Sequence, residues 1–458
     1  MEDEKTDKSA YTELYYQQEG EAQKVDNERI ESSIAESKAQ DPTRNEIIME
    51  EILGRENLIK ALKRVKKNKG SPGIDGMKVD QLPRYLKENW LEIRTQLLEG
   101  NYKPQPIKRV EIPKPGGGVR KLGIPTAMDR FIQQAVMQVL EKQWDATFSE
   151  YSYGFRPNRS AHQAVAQAQR YIAEGYNIVV DIDLEKFFDK VNHDILMGRI
   201  AKRVKDKPVL KLIRSFLNAG VMQQGLVSAT EEGMPQGSPL SPLMSNLLLD
   251  ELDKELEKRG HRFVRYADDS NIYVKSQRAG QRVMESVTRF LEQKLKLYVN
   301  KQKSAVGKPR ERKFLGFSFL GKQAKRIIAS KTLERFKDKI RQITGRNRGV
   351  SLQQVIEELR TYLRGWQGYF GFCQTPSVMQ KLNSWIRRRL RCLILRHWKN
   401  GKYKQLSKRG LEHSLAAKIS SSGKGLWRIS KSLALSLALP VLYFTLIGIP
   451  LLTSQTLV

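Results

Sequence analysis

Cysteine is nearly absent from this chain, which carries only Cys373 and Cys392 in 458 residues. Two cysteines exclude a disulfide scaffold and a cysteine-built zinc module, and they fit a reducing cytosol. Histidine is as scarce. His162, His193, His261, His397 and His413 are scattered, and no spacing among them builds a metal site. Acidic residues fall far short of basic ones, 50 against 81, for a net charge of +31. Such an excess repels itself unless a polyanion sits against it, so nucleic acid is the leading partner and an anionic membrane surface the weaker one. The opening residues, Met-Glu-Asp-Glu, contain no basic segment and no apolar run, so no secretory signal is expected and the expected location is the cytoplasm, associated with the nucleoid. Apolar residues make up 40% of the chain, enough for buried cores in roughly three domains.

The charge is uneven. Residues 1–45 hold 12 acids and 6 bases, a net of −6. The other 413 residues therefore carry +37, the difference between +31 and −6. The leader is expected to be a disordered acidic tail. At the other end, Gln380–Lys431 has 15 Lys and Arg and one acid, Glu412, interleaved with Trp385, Trp398, Tyr403 and Trp427. Cations with aromatics that stack on bases point to nucleic-acid contact. Leu433–Leu452 is uncharged over twenty residues, yet Pro440, Gly448 and Pro450 interrupt it. It reads as a buried C-terminal helix and turn, not a membrane span.

Periodicity predicts helices over Glu51–Lys67, Leu82–Leu98, Asp129–Glu141 and Leu240–Lys258. Arg109–Pro113 and Val119–Ile124 flank a Gly-rich turn and predict a hairpin; Asn177–Asp183 predicts a buried strand and Phe263–Val274 a second hairpin. Beyond Ser330 the pattern is helical and basic. The expected class is α+β, with an acidic leader over 1–45, a mixed core over 46–330, a helical domain over 331–400 and a basic C-terminal region over 401–458.

Two acidic spots lie at the edges of apolar strands. One is Val179-Val-Asp-Ile-Asp-Leu-Glu-Lys-Phe-Phe-Asp189, the other Arg265-Tyr-Ala-Asp-Asp-Ser270. Charge at an apolar strand end is costly unless a cation is present. Three carboxylates from two strands suit two Mg²⁺ ions, with Mn²⁺ as a substitute. One ion activates an attacking hydroxyl and the other steadies the leaving phosphate oxygens.

These spots belong to a larger set in a fixed order. Tyr266-Ala-Asp-Asp269 resembles the catalytic box of reverse transcriptases, and Asp183-Leu-Glu-Lys-Phe-Phe-Asp-Lys-Val-Asn-His193 resembles their first metal-binding motif. Gly233-Met-Pro-Gln-Gly-Ser-Pro-Leu-Ser-Pro242 resembles the template- and nucleotide-contacting motif between them, with Ser238 where many relatives carry a second Gly. Ile112-Pro-Lys-Pro115, Arg120-Lys-Leu-Gly-Ile-Pro125 and Ser152-Tyr-Gly-Phe-Arg-Pro-Asn-Arg159 are similar to fingers motifs of group II intron reverse transcriptases. Phe314-Leu-Gly-Phe317 resembles the primer grip, and Leu363-Arg-Gly-Trp-Gln-Gly-Tyr-Phe370 resembles the start of the maturase (thumb) domain.

The resemblance implies a right-hand polymerase of fingers, palm and thumb. Asp183, Asp268 and Asp269 match the metal-binding catalytic carboxylates, and Leu184 the residue lending a carbonyl to one metal. Asp181, on the same strand face, is the rival to Asp183. Phe188 matches the bulky residue that blocks a ribose 2′-hydroxyl. Lys114 and Arg120 match the fingers cations that grip an incoming dNTP, Gln236 a nucleotide or template contact, and Lys303 the lysine near the leaving pyrophosphate. Arg387, Arg388, Arg391, Trp398, Lys402 and Lys404 are the expected nucleic-acid contacts of the basic C-terminal part. Expected partners are intron RNA, a primer–template duplex, target DNA and dNTPs, with no membrane. Many relatives end in an HNH endonuclease; the scattered histidines build none. Two other readings stay open: a reverse transcriptase recruited to DNA repair or defence without an intron, and a non-catalytic RNA-binding splicing factor.

Overall fold

In the computed structural model the described residues are 48–113, 117–223 and 225–453. The expected acidic leader, 1–45, and Lys114 lie outside the described residues. The described residues fall into two compact units, one built from the chain up to Ala164 with Val180–Val306, the other from Val165–Val179 with the chain from Gly307 onward. The first unit ends at Val306, ahead of the expected 330.

Among the described residues ten strands follow in chain order: β1 (Ile107–Pro113), β2 (Val119–Ile124), β3 (Ile178–Ile182), β4 (Val221–Gln223), β5 (Leu226–Ser228), β6 (Arg262–Tyr266), β7 (Asp269–Val274), β8 (Ala305–Gly307), β9 (Phe317–Leu320) and β10 (Lys325–Ile328). Three sheets result, ordered β2-β1-β4-β5, β6-β7-β3-β8 and β10-β9. In the second, β6 and β7 pair antiparallel with Tyr266 opposite Asp269, so the turn between them is Ala267-Asp268 alone. Ala267 takes φ +58°, the left-handed conformation a two-residue hairpin turn demands. Phe263, Val264, Ile272, Tyr273, Val179, Val180 and Ile182 are buried, so this sheet is anchored by its own apolar strands.

The predicted helix over Glu51–Lys67 is two helices, Ile48–Ile52 and Arg55–Asn68, parted at Gly54, whose extended φ and ψ leave the helical region. Leu82–Leu98 is a helix as predicted. The helix predicted over Asp129–Glu141 runs longer, Ala127–Trp144. Thr126 caps it by accepting from the Asp129 amide (3.1 Å) and donating to the Asp129 carboxylate (2.7 Å). The predicted strand into Asp183 stops at Ile182, so Asp183 lies just past the strand end.

The second unit packs helices Ser330–Ile343, Leu352–Phe370 and Pro376–His397 around Phe336, Leu359, Leu363, Ile386 and Leu390. That same core continues through Leu406, Leu435, Phe444 and Leu452. The expected break at 400/401 is therefore not a break; both segments share one core. The predicted single C-terminal helix is also corrected. Pro440 starts the second of two six-residue helices, Leu433–Ala438 and Val441–Leu446, because proline cannot continue the first. Leu435, Ala438, Leu439 and Phe444 are buried, while Leu433, Leu437, Leu442 and Leu446 are exposed. Among the described residues, no helix is long and apolar enough to cross a membrane.

Candidate active site

Asp268 occupies the β6–β7 turn and Asp183 follows β3, a strand of the same sheet. Burial pushes the Asp268 carboxyl upward, and the negative charge of Asp183 pushes the same way. The cations of Arg120 and Arg265 oppose that push. The charge of Asp183 and that of Arg120, on β2, thus both bear on Asp268, in opposite directions.

Asp183 is held at four points. Its amide donates to the Ser304 hydroxyl (2.9 Å), its carbonyl accepts from the Asn300 amide (2.8 Å) and the Ser304 hydroxyl (3.2 Å), and its carboxylate pairs with the Lys303 ammonium at 3.4 Å. Lys303, expected near a pyrophosphate, thus sits on the first carboxylate. Leu184 bridges to Val299. The bonds on either side of that bridge, Glu185 N–H to the Tyr298 carbonyl (2.8 Å) and Asn300 N–H to the Asp183 carbonyl, engage the flanking residues and not the Leu184 carbonyl. The Asn271 amide, turned to satisfy its bonds, donates to Asp181 Oδ1 at 3.1 Å. That contact fits the structural role rather than the catalytic one.

Asp269 is exposed, at the first position of β7. Among the described residues no group of three or more acidic, His or Cys side chains is gathered as a metal cage. The expected trio is placed with Asp183 after β3, Asp268 in the β6–β7 turn and Asp269 opening β7. A pair of mutually repelling carboxylates at a strand end, one of them already answered by a lysine, is the donor chemistry a hard divalent cation satisfies. The residues fit such an ion: Asp183 and Asp268 would be its donors, with the Leu184 carbonyl and Asp269 as the further donors that the resemblance implies.

The Gly233–Gln236 loop is tied to the Phe188 segment. Met234 N–H donates to the Phe188 carbonyl (2.6 Å), Gly233 N–H donates to the Val191 carbonyl (2.7 Å), and buried His193 bonds the Gly233 carbonyl through Nε2 (2.7 Å). Gly233 is required here: its φ is +91°, and a β-carbon would lie 2.9 Å from the Asp189 carbonyl oxygen. The Gln236 carbonyl accepts from Gly123 N–H of β2 (2.8 Å), which places Gln236 beside the hairpin carrying Arg120. Ser238 is buried, and its hydroxyl donates to Gln133 and accepts from the Leu240 amide (3.3 Å). A second Gly there would leave both groups without that hydroxyl. Phe187 is buried and Phe188 half-buried, their rings edge to face at 5.1 Å, so Phe188 is the one with a surface to offer.

The largest residue missed by sequence reasoning is Arg265. It and Asp253 are both 0% exposed and pair at 2.6 Å. Arg265 Nη1 also donates to Asn246 Oδ1 (3.0 Å) and to the Ala267 carbonyl (2.9 Å) inside the β6–β7 turn. The available signal was an Arg following Phe263-Val264 in an apolar strand, a position that demands a buried partner.

The expected nucleic-acid contacts of the helical unit divide. Arg388 stacks on Trp427 at 3.9 Å and donates to its carbonyl (3.0 Å). Arg391 donates to the Leu439 carbonyl through Nε (3.2 Å) and Nη2 (2.9 Å). Arg409 covers the Trp398 ring at 4.7 Å. Arg388, Arg391 and Trp398, predicted to face nucleic acid, are therefore engaged by the chain's own C-terminal segment. A cationic side chain is a natural cap for a helix-end carbonyl such as that of Leu439, which follows the helix Leu433–Ala438; the Trp427 carbonyl also accepts from the Ser430 hydroxyl (2.8 Å). Arg387 is half-buried and donates to the Ser384 hydroxyl (3.1 Å), Lys402 is half-buried, and Lys404 is exposed.

Comparison with known proteins gives the following. The family described as "Reverse transcriptase (RNA-dependent DNA polymerase)" matches residues 112–319, and "Group II intron, maturase-specific domain" matches residues 333–410. Protein YkfC of Escherichia coli is 31% identical over 328 residues, covering 63% of this chain and 85% of that protein. The group II intron-encoded protein LtrA of Lactococcus lactis subsp. cremoris is 38% identical over 188 residues, covering 41% of this chain and 31% of that one. The putative COX1/OXI3 intron 2 protein of Saccharomyces cerevisiae is 35% identical over 206 residues, 44% of this chain and 24% of that one. The chain thus spans less than a third of either intron-encoded relative's length. The expected α+β class holds, and the match over 112–319 carries the right-hand polymerase plan with it.

Proposed function

From the premise that this chain belongs to the reverse transcriptases with a group II intron maturase domain, we propose that it extends a DNA 3′-OH on an RNA template with dNTPs, using two Mg²⁺ ions, and binds a group II intron RNA to assist splicing and retrohoming. RNA-directed DNA polymerase activity is the activity of the family. The observation that carries its assignment to this site is the placement of Asp183, just after β3, and Asp268, in the β6–β7 turn, on one sheet, with the charges of Asp183 and Arg120 both bearing on Asp268. Reverse transcriptases use divalent metal ions, which when bound activate the attacking hydroxyl and neutralise charge on the transferring phosphate.

This chain's own residues supply position and charge. Asp183 and Asp268 hold the metal side of the site, and Asp269 is assigned beside them. Arg120, and Lys114 by the family resemblance, are assigned to the triphosphate, where cations offset the charge of phosphoryl transfer. Lys303, which pairs with Asp183 at 3.4 Å, is assigned to the departing pyrophosphate, and a metal ion on Asp183 would compete with that pair. Gln236 lies where the β2 hairpin and the Gly233 loop meet, positioned for nucleotide or template. The maturase reading rests on the match over 333–410, in a helical unit whose exposed lysines, Lys404 among them, face phosphates. Target DNA is assigned to the same basic surfaces.

Phe188 provides the test. Its ring is to stand where a ribose 2′-hydroxyl would come. Phe188→Ala is expected to raise the efficiency of rNTP incorporation relative to dNTP by roughly tenfold or more while dNTP addition persists, read by single-nucleotide extension. Unchanged discrimination would remove Phe188 from the nucleotide site.

A further inference from the structure

Phe155 is a large aromatic in a place that no packing argument explains. It sits in the loop after Tyr153-Gly154, 46% exposed, at φ +57°. The left-handed region is unfavourable for any residue with a β-carbon and most unfavourable for a bulky one. An aromatic is held there only when its surroundings over-determine the backbone, and such outliers gather where ligands bind. Here the surroundings do so. Asn246 Nδ2 donates to the Gly154 carbonyl (2.9 Å), Tyr153 N–H donates to the Arg265 carbonyl (2.9 Å), and Arg265 N–H donates to the Tyr151 carbonyl (2.9 Å). A β-carbon on Gly154 would lie 2.2 Å from the Ala267 nitrogen, so the loop is pressed against the backbone of the catalytic turn. From the other side Arg156, its side chain 4% exposed, donates to Asp145 Oδ1 (2.6 Å), to the Asp145 carbonyl (2.7 Å), to the Ser149 carbonyl (2.6 Å) and to the Ser152 carbonyl (3.0 Å). Among the described residues no ring contact or cation pair engages Phe155, although its neighbours Tyr151, Tyr153 and Arg156 each have one.

We propose that Phe155 is a stacking subsite for the primer–template duplex next to the primer 3′ end, its ring meeting a nucleobase or sugar face. The loop's attachment to the Ala267-Asp268 turn fixes the ring at a set distance from the catalytic carboxylate, which is what registering a primer end requires. Stacking on an aromatic face tolerates every base, as a polymerase needs, because each base has a π surface. The assignment rests on the polymerase reading above and adds to it a contact on the duplex rather than on metal or nucleotide.

The test compares the full chain with Phe155→Gly, Phe155→Asn and Phe155→Tyr. A fluorescent DNA primer annealed to RNA gives Kd by anisotropy, Mg²⁺-dependent addition of the first dNTP gives the rate, and a melt gives Tm. Glycine and asparagine accept the left-handed backbone, so neither lowers Tm if the ring serves a ligand. Both are expected to weaken duplex binding about tenfold, while tyrosine keeps the parent affinity. Parent-like Kd in the Gly and Asn chains would overturn the proposal. So would a fall in Tm in both, which would make the ring part of the fold's packing. A parent chain that binds duplex but adds no dNTP counts against the polymerase reading, and the Kd series still decides Phe155.

Discussion

Asp268→Asn is expected to lower RNA-templated DNA synthesis at least about a thousandfold while the metal-free protein melts no lower than the parent. The two halves of this expectation have one cause. The Asp268 carboxylate sits in a two-residue turn, where burial and the Asp183 charge both disfavour its ionised form. A cation relieves that conflict; without one, the charge is a burden on the fold. Asparagine keeps the size and removes the charge, so the turn loses a repulsion and the site loses a ligand. Single-nucleotide extension and a melt without metal read the two effects separately. A near-parental rate would remove Asp268 from the metal site. A clearly lower Tm would show the carboxylate holding the turn together rather than straining it.

Asp253→Ala is expected to act through the fold. It leaves the Arg265 guanidinium at 0% exposure without its carboxylate, and breaking a buried pair in this way costs about 3–5 kcal/mol. In a unit of this size that corresponds to a fall in Tm of about 10 °C. Burial pushes the Asp253 carboxyl upward and the guanidinium opposes it, so the pair stands only with both members present. Arg265 also holds the Ala267 carbonyl, so extension should fall at temperatures where the variant is still folded. Arg265→Met combined with Asp253→Leu separates the roles. Apolar replacement of both partners is expected to restore much of the Tm. It does not restore the bond to the turn, so the rate stays low. Recovery of both would make the pair structural only.

These two residues also mark the reach of the sequence. Asp268 was legible because an adjacent pair of acids between apolar strand segments has few other uses, and because its companions stand in a fixed order. Arg265, three positions earlier, was passed over as part of the strand. Its role depends on Asp253 and Asn246, which lie on the helix Ser241–Lys258, and that juxtaposition exists only once the helix crosses the sheet. The expectation of three gathered carboxylates read Asp268 and Asp269 as equals. The exposed Asp269 opens β7, while Asp268 belongs to the two-residue turn before it, so the two neighbours stand in different local structures. In the helical unit the density of Arg near Trp was legible, but its direction was not. The carbonyls at Trp427 and Leu439 that take up Arg388 and Arg391 belong to a segment forty residues or so downstream. Composition gives the sign of a surface; contacts between distant segments decide which cations remain to meet a phosphate.

The central claim, that a basic reverse transcriptase closes on an acidic metal site at Asp183 and Asp268, is tested most directly by extending a DNA primer along an RNA template with dNTPs, with and without Mg²⁺. The expected result is cDNA to the template's end with Mg²⁺ and none after chelation. Binding of the duplex without any Mg²⁺-dependent synthesis, by protein shown to be folded, would contradict it and leave an RNA-binding protein in its place.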